Sequence, residues 1–194
     1  RASSSGGVPT YSRPQCVGPI SVKDLKPLEV DLQNFKEALS VSEATDAFMN
    51  AASPGVIAQF QPNQHYPDHS SYLYALADAM KVEYEGIAEA GLVIQIDSPD
   101  LALGRHVLFK DQSDEEFVAM AELHIEALNH ALQNIPAEQL RLHVCWGNYQ
   151  GPHHCDIEMK KILPAVLKAK PMALSFEGAN PRHSHLWCLF RDAK

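Results

Sequence analysis

The order of apolar segments constrains this chain most. Short apolar runs alternate with amphipathic stretches of helical length along almost the whole sequence. Runs at Gly18 to Val22, Val56 to Phe60, Leu92 to Asp97, Leu140 to Trp146 and Met172 to Glu177 carry the branched and aromatic content of strands. Between them, roughly Val30 to Ser40, Asp68 to Glu89, Asp114 to Asn134 and Ile157 to Lys168 read as helices. In the second, Tyr72, Leu76, Ala79 and Met80 form one stripe. In the third, Phe117, Met120, Ala121, His124 and Leu128 recur at three-and-four spacing. Gly91 stands where a helix stop is expected, and Ser113 with Glu116 has the spacing of a capping box.

Strands joined by helix-length crossovers imply a parallel sheet covered by helices, either an open doubly wound sheet or part of a (β/α)8 barrel. No glycine-rich phosphate loop follows any strand, which disfavours the nucleotide-binding version. A complete barrel takes about 250 residues. With 194 residues, the expectation is therefore an α/β fold, a single domain over 1–194 that forms an incomplete (β/α)8 TIM barrel of about five strands.

Composition narrows the function classes. Sixteen basic against 24 acidic residues leave a formal charge of −8, and the basic residues are scattered, which argues against nucleic acid or an anionic membrane as partner. No apolar run reaches the roughly 20 residues of a membrane span. The opening Arg1 to Gly7 lacks the apolar segment of a secretory signal and reads as a loop or a processed start. A soluble, cytoplasmic protein is expected. Four dispersed cysteines, Cys16, Cys145, Cys155 and Cys188, do not make a disulfide framework, so each is core filler, ligand or nucleophile.

Three successive apolar runs end in chemistry: Asp97, then His143 with Cys145, then Glu177. In a barrel such strand ends converge on one face. Alternate residues of a strand share a side, so His143 and Cys145 can address one metal, and imidazole, thiolate and carboxylate together suit zinc. Structural alternatives stand beside this reading. Cys145 and His143 can be core residues, Glu177 can pair with Arg182, and Asp97 can cap the turn before Pro99. A second His-x-Cys, His153 to Cys155, follows Gly151-Pro152 and with Asp156 reads as loop or helix cap. His183, Ser184 and His185 lack a nucleophile elbow, which argues against a serine hydrolase.

The ordered segments Gly91 to Pro99 (GLVIQIDSP), Leu142 to Cys145 (LHVC) and Ala173 to Gly178 (ALSFEG) resemble the catalytic barrel of cobalamin-independent methionine synthase and its shorter relatives. The likeness runs from the Cys16 to Ile20 segment to the end of the chain. It implies strands three to seven of the barrel. It also implies that His143, Cys145 and Glu177 are three of four zinc ligands, the fourth being a cysteine beyond Lys194, and that Asp97 contacts the amino group of homocysteine. The family glutamate that also holds homocysteine lies upstream of Arg1. Near Gln59 to Asn63 the synthases carry a tryptophan that stacks on folate; here there is none, and Phe60 or Tyr66 is left to form part of a donor wall. The implied activity is zinc-dependent transfer of a methyl group from a methyl-folate or related donor to a thiol such as homocysteine. Relatives on this scaffold alkylate other thiols, including coenzyme M, and a barrel homologue without activity is a further alternative. Metal-assisted hydrolysis fits less well, because such barrels favour histidine and carboxylate over a thiolate ligand.

Overall fold

A computed structural model describes residues 14–148 and 151–191; the opening stretch 1–7 and the last three residues lie outside the described residues. The fold is α/β. Four strands, β1 (Phe48–Ala52), β2 (Val93–Asp97), β3 (Leu140–Val144) and β4 (Ala173–Phe176), are all parallel and lie in sequence order. The helices are α1 (Lys26–Ser40), α2 (Pro54–Phe60), α3 (His69–Glu89), α4 (Leu103–Val107), α5 (Asp114–Ala131) and α6 (Met159–Val166). α3 packs on α5 and α5 on α6, so these helices form one layer on one face of the sheet. The arrangement is compatible with an arc of a (β/α)8 barrel.

Local chemistry starts and stops these elements. Asp68 caps α3 by accepting the Ser71 amide at 2.7 Å, and Ser113 and Glu116 form the expected reciprocal capping box on α5. Each cap stabilises its helix by about 1 kcal/mol. After α3, Gly91 adopts φ +81°, a conformation that costs glycine no Cβ clash.

Two expected strands are not strands. Val56 to Phe60 lies in α2, because the Ser53 side chain accepts the Val56 amide at 2.9 Å and Pro54 presets the first helical φ. The strand of that unit is the preceding Phe48–Ala52 (FMNAA), whose small and polar residues carry little strand signal. Gly18 to Val22 also forms no strand. This segment is tied down by one isolated bridge, Cys16 to Asn63, and by the Ile20 amide, which donates to the Tyr66 hydroxyl at 2.8 Å. The described sheet thus has four strands where five were expected.

The core lies between sheet and helices. Ile94 and Ile96 of β2 and Leu140, Leu142 and Val144 of β3 point toward Tyr84 and Ile87 of α3, Ile125 and Leu128 of α5 and Ile162 of α6, all buried. Each of these side chains stabilises the fold by roughly 1.5–3 kcal/mol through burial. Among the described residues no helix is long and apolar enough to cross a membrane.

Candidate functional site

Alternation decides which strand residues are free for chemistry. Along β3 the burial pattern places Leu140, Leu142 and Val144 under the helices, which turns Arg141 and His143 to the other face; Cys145 follows in the same alternation. Along β2, Ile94 and Ile96 go under and Gln95 and Asp97 come up. Parallel register then sets heights: Asp97 pairs with His143 and His143 with Ser175, so all three stand at one level of the sheet. Cys145 and Glu177 each stand one residue past the last register pair, Val144 with Phe176.

The result is a polar mouth at the C-terminal ends of three adjacent strands. His143 Nε2 lies 3.7 Å from Asp97 Oδ1, while its Nδ1 is buried and has no hydrogen-bond partner. The Cys145 thiol is half-buried and free. Burial pushes its pKa up, a backbone hydrogen bond from Gly147 works the other way, and the carboxylates of Asp97, Glu177 and Asp100 add to the rise. Glu177 accepts a hydrogen bond from Asn180 Nδ2, and its Oε2 is 3.8 Å from His183 Nε2. The expected alternative partner of Glu177, Arg182, instead donates Nε–H to His183 at 3.0 Å and sends Nη1 to within 3.9 Å of Asp156.

Of the residues singled out from the sequence, Asp97 and His143 come together directly, and Cys145 joins them within reach of the Glu177 charge. Among the described residues, however, no group of three or more His, Cys, Asp and Glu side chains is gathered tightly enough to hold a metal ion. The donor set still suits a cation in kind. It comprises an imidazole whose buried Nδ1 has no partner and a thiol whose pKa is raised by burial and by the carboxylates of Asp97, Glu177 and Asp100.

Around this mouth lie groups with other partners. The His153-His154-Cys155-Asp156 stretch is a loop in which Asp156 bonds His153 Nδ1 at 2.9 Å and approaches His106 Nδ1 at 3.9 Å. Tyr66 stacks on Tyr72 with ring centroids 5.6 Å apart, whereas Phe60, at the end of α2, is 51% exposed. Trp146 is buried against His183, ring centroids 4.6 Å apart, and bounds a cavity of about 600 Å³ with His153, Asp156, Arg182, His185 and Leu189.

Sequence reasoning missed one cluster. His124 was legible only as part of the apolar stripe of α5, and Asp100 carried no signal of its own, yet both are almost wholly buried and bonded to each other at 2.8 Å. The available signal was a titratable residue on an apolar helix face, which must find a polar partner once buried.

No family model matches the chain. A methionine synthase of Saccharolobus solfataricus is 30% identical over 173 residues, covering 87% of this chain and 47% of that protein. Methionine synthases of Saccharolobus islandicus (30% over 145 residues, 72% of this chain and 40% of theirs) and Sulfurisphaera tokodaii (29% over 144 residues, 74% and 37%) agree. The chain spans less than half the length of these curated relatives. With a parallel α/β sheet and strand-end Asp, His, Cys and Glu in order, this chain is similar to methionine synthases along most of its own length.

Proposed function

We propose that this chain forms part of a zinc-dependent methyltransferase that transfers a methyl group from a methyl-folate or related donor to a thiol such as homocysteine. The observation that supports the reading is the register that sets Asp97 level with His143 and leaves Cys145 and Glu177 one residue past the last paired positions of neighbouring strands, in a chain similar to methionine synthases.

His143, Cys145 and Glu177 would hold the metal, with a further cysteine outside this sequence as the fourth ligand implied by the resemblance. Zinc, when bound, supplies a thiol acceptor that is deprotonated and nucleophilic at neutral pH. The residues do the rest. Burial of the half-buried Cys145 raises its pKa and favours the neutral thiol, so metal binding would release its proton. Asn180 fixes the Glu177 carboxylate by donating to it. Asp97, 48% exposed at the rim, presents its carboxylate to an ammonium group of the acceptor, which a charge-assisted hydrogen bond orients.

Exposed Phe60 favours a second reading of the same site. With no tryptophan near this position, transfer to another thiol, such as coenzyme M, from a non-folate alkyl donor fits the same ligands. Zinc content and thiol alkylation in the full-length protein decide between them. Methylated homocysteine supports the first reading and alkylated coenzyme M the second. Stoichiometric zinc without thiol turnover, or neither zinc nor turnover, refutes both.

A further inference from the structure

Behind the mouth runs a continuous chain of hydrogen bonds between four residues from four elements. Ser53, just after β1, donates its hydroxyl to Asp100 Oδ1 at 2.7 Å. Asp100, in the turn after β2, takes His124 Nδ1 on its other oxygen at 2.8 Å. His124 Nε2 faces His69 Nε2 at 2.9 Å. Ser53, Asp100 and His124 are 2%, 2% and 4% exposed, and half-buried His69, the first residue of α3, forms the outer end. Even the backbone makes room for the network: a Cβ on Gly55 would lie 2.0 Å from Asp100 Oδ2.

Burying a carboxylate and two imidazoles costs more than filling the same space with apolar side chains, so the arrangement is not explained by stability. Its geometry permits two protonation states. Two ring nitrogens that face each other at 2.9 Å hold one proton between them. In the first state His69 donates Nε2–H to His124, both rings are neutral and Asp100 is the acceptor at the buried end. In the second, His124 carries both ring protons and donates Nε2–H to His69, whose Nδ1 is then the protonated nitrogen. The two differ by one proton. It enters at His69 Nδ1, the Nε2 proton passes to His124, and the positive charge comes to rest against Asp100 without movement of any heavy atom.

We propose that Ser53, Asp100, His124 and His69 form a proton relay that carries one proton between the outer face of α3 and the buried carboxylate behind the strand-end site. Ser53 fixes the carboxylate so that its second oxygen stays on His124. The titratable groups facing the relay are Asp68 beside His69, Tyr84 from α3 and Cys145 from the strand ends, where the Asp100 charge is felt. Burial, then the neighbouring His124, push His69 down to about 4, which keeps a second proton off the pair at neutral pH. The relay rests on hydrogen-bond geometry and does not depend on the methyl-transfer reading.

Ring-nitrogen NMR on the full-length protein, with 15N-labelled histidine and pH varied from about 5 to 9, tests it. The expected result is one common midpoint for His69 and His124, together accounting for one proton, with His124 Nδ1 protonated throughout. His124→Gln should move the His69 midpoint by roughly half a pH unit or more, and His69→Gln, a change at the half-exposed end, should move the His124 midpoint similarly. Separate midpoints in the unaltered protein, or a His124 curve that ignores His69→Gln, would overturn the relay.

Discussion

Replacing Gly55 with alanine adds one methyl group to α2 and aims it at the buried contact between Asp100 and His124. The new Cβ would lie 2.0 Å from Asp100 Oδ2, 2.6 Å from Asp100 Cγ and 2.5 Å from His124 Nδ1. Ordinary contact needs about 3.5 Å, so the carboxylate must retreat by more than about 1 Å and cannot keep both Ser53 and His124. Forcing an extra carbon into a packed interior costs about 1–3 kcal/mol, and leaving one buried partner of the carboxylate unsatisfied costs about 1–3 kcal/mol more. The expected loss is roughly 2–6 kcal/mol, or on the order of 10 °C in melting temperature for a chain of this size. Gly104→Ala is the opposite case. There the added Cβ meets Gln59 and Phe117 at 3.5 Å, ordinary contact inside a helix, and the better helix propensity should give up to about 1 kcal/mol of added stability. Urea unfolding of both variants checks the pair. A Gly55→Ala protein within about 1 kcal/mol of the unaltered protein would show that the buried network yields freely, and the packing argument would be wrong.

Other perturbations test the site and its surroundings. In full-length, zinc-loaded protein, Cys145 should resist alkylation and become reactive once a chelator is added, while Cys16, Cys155 and Cys188 show no such dependence; mass mapping of the alkylated cysteines reads this out. Asp97→Asn should raise the KM for the thiol acceptor at least tenfold, on the order of 1.4 kcal/mol, with zinc content unchanged, and loss of zinc would mean that Asp97 belongs to the metal. His69 gives a pH dependence of known sign. Its folded-state pKa is depressed from 6.5 to about 4, so the folded chain binds fewer protons than the unfolded one in that window. Stability should therefore fall as pH drops from about 6.5 toward 4, by at most about 2 kcal/mol after solvent screening at this half-buried ring, and His69→Gln should remove that part of the slope in thermal melts.

What the sequence revealed, and what it hid, follows from the kind of force involved. The α5 start was legible because Ser113 and Glu116 form a cap within one turn, and the α3 stop was legible because Gly91 takes a conformation few residues accept. β2 and β3 were legible from their branched, apolar runs. β1 was not: Phe48-Met-Asn-Ala-Ala52 becomes a strand only because Ala51 and Asn50 pair with Ile96 and Gln95, a contact made by residues more than forty positions away. The apolar run at Val56 to Phe60 carries the stronger strand signal, although Ser53-Pro54 just before it carries a helix-start signal. The strand-end residues Asp97, His143, Cys145 and Glu177 were legible as chemistry interrupting apolar runs, whereas Asp100 and His124 acquire their partner only through tertiary packing.

Apolar residues with no chemistry of their own nevertheless determine where the chemistry stands. On the face away from the helices, Asn50 Oδ1 accepts from Gln95 Nε2 at 3.1 Å, and the Arg141 guanidinium lies 4.0 Å from the centre of the Phe48 ring. That layer sits two residues below Asp97 and His143 along their strands. A slip of one residue in β3 would exchange its faces, putting Leu142 and Val144 on the polar side and burying Arg141, His143 and Cys145 under α5 and α6. Burying an unpaired guanidinium and imidazole in place of aliphatic side chains costs several kcal/mol, a large share of the total stability of a domain. The slipped register is therefore excluded by the core alone. The pairing of Asp97 with His143 is thus secured by Ile94, Ile96, Leu140, Leu142 and Val144, and enlarging or deleting any of these should disturb the mouth from beneath before it unfolds the sheet.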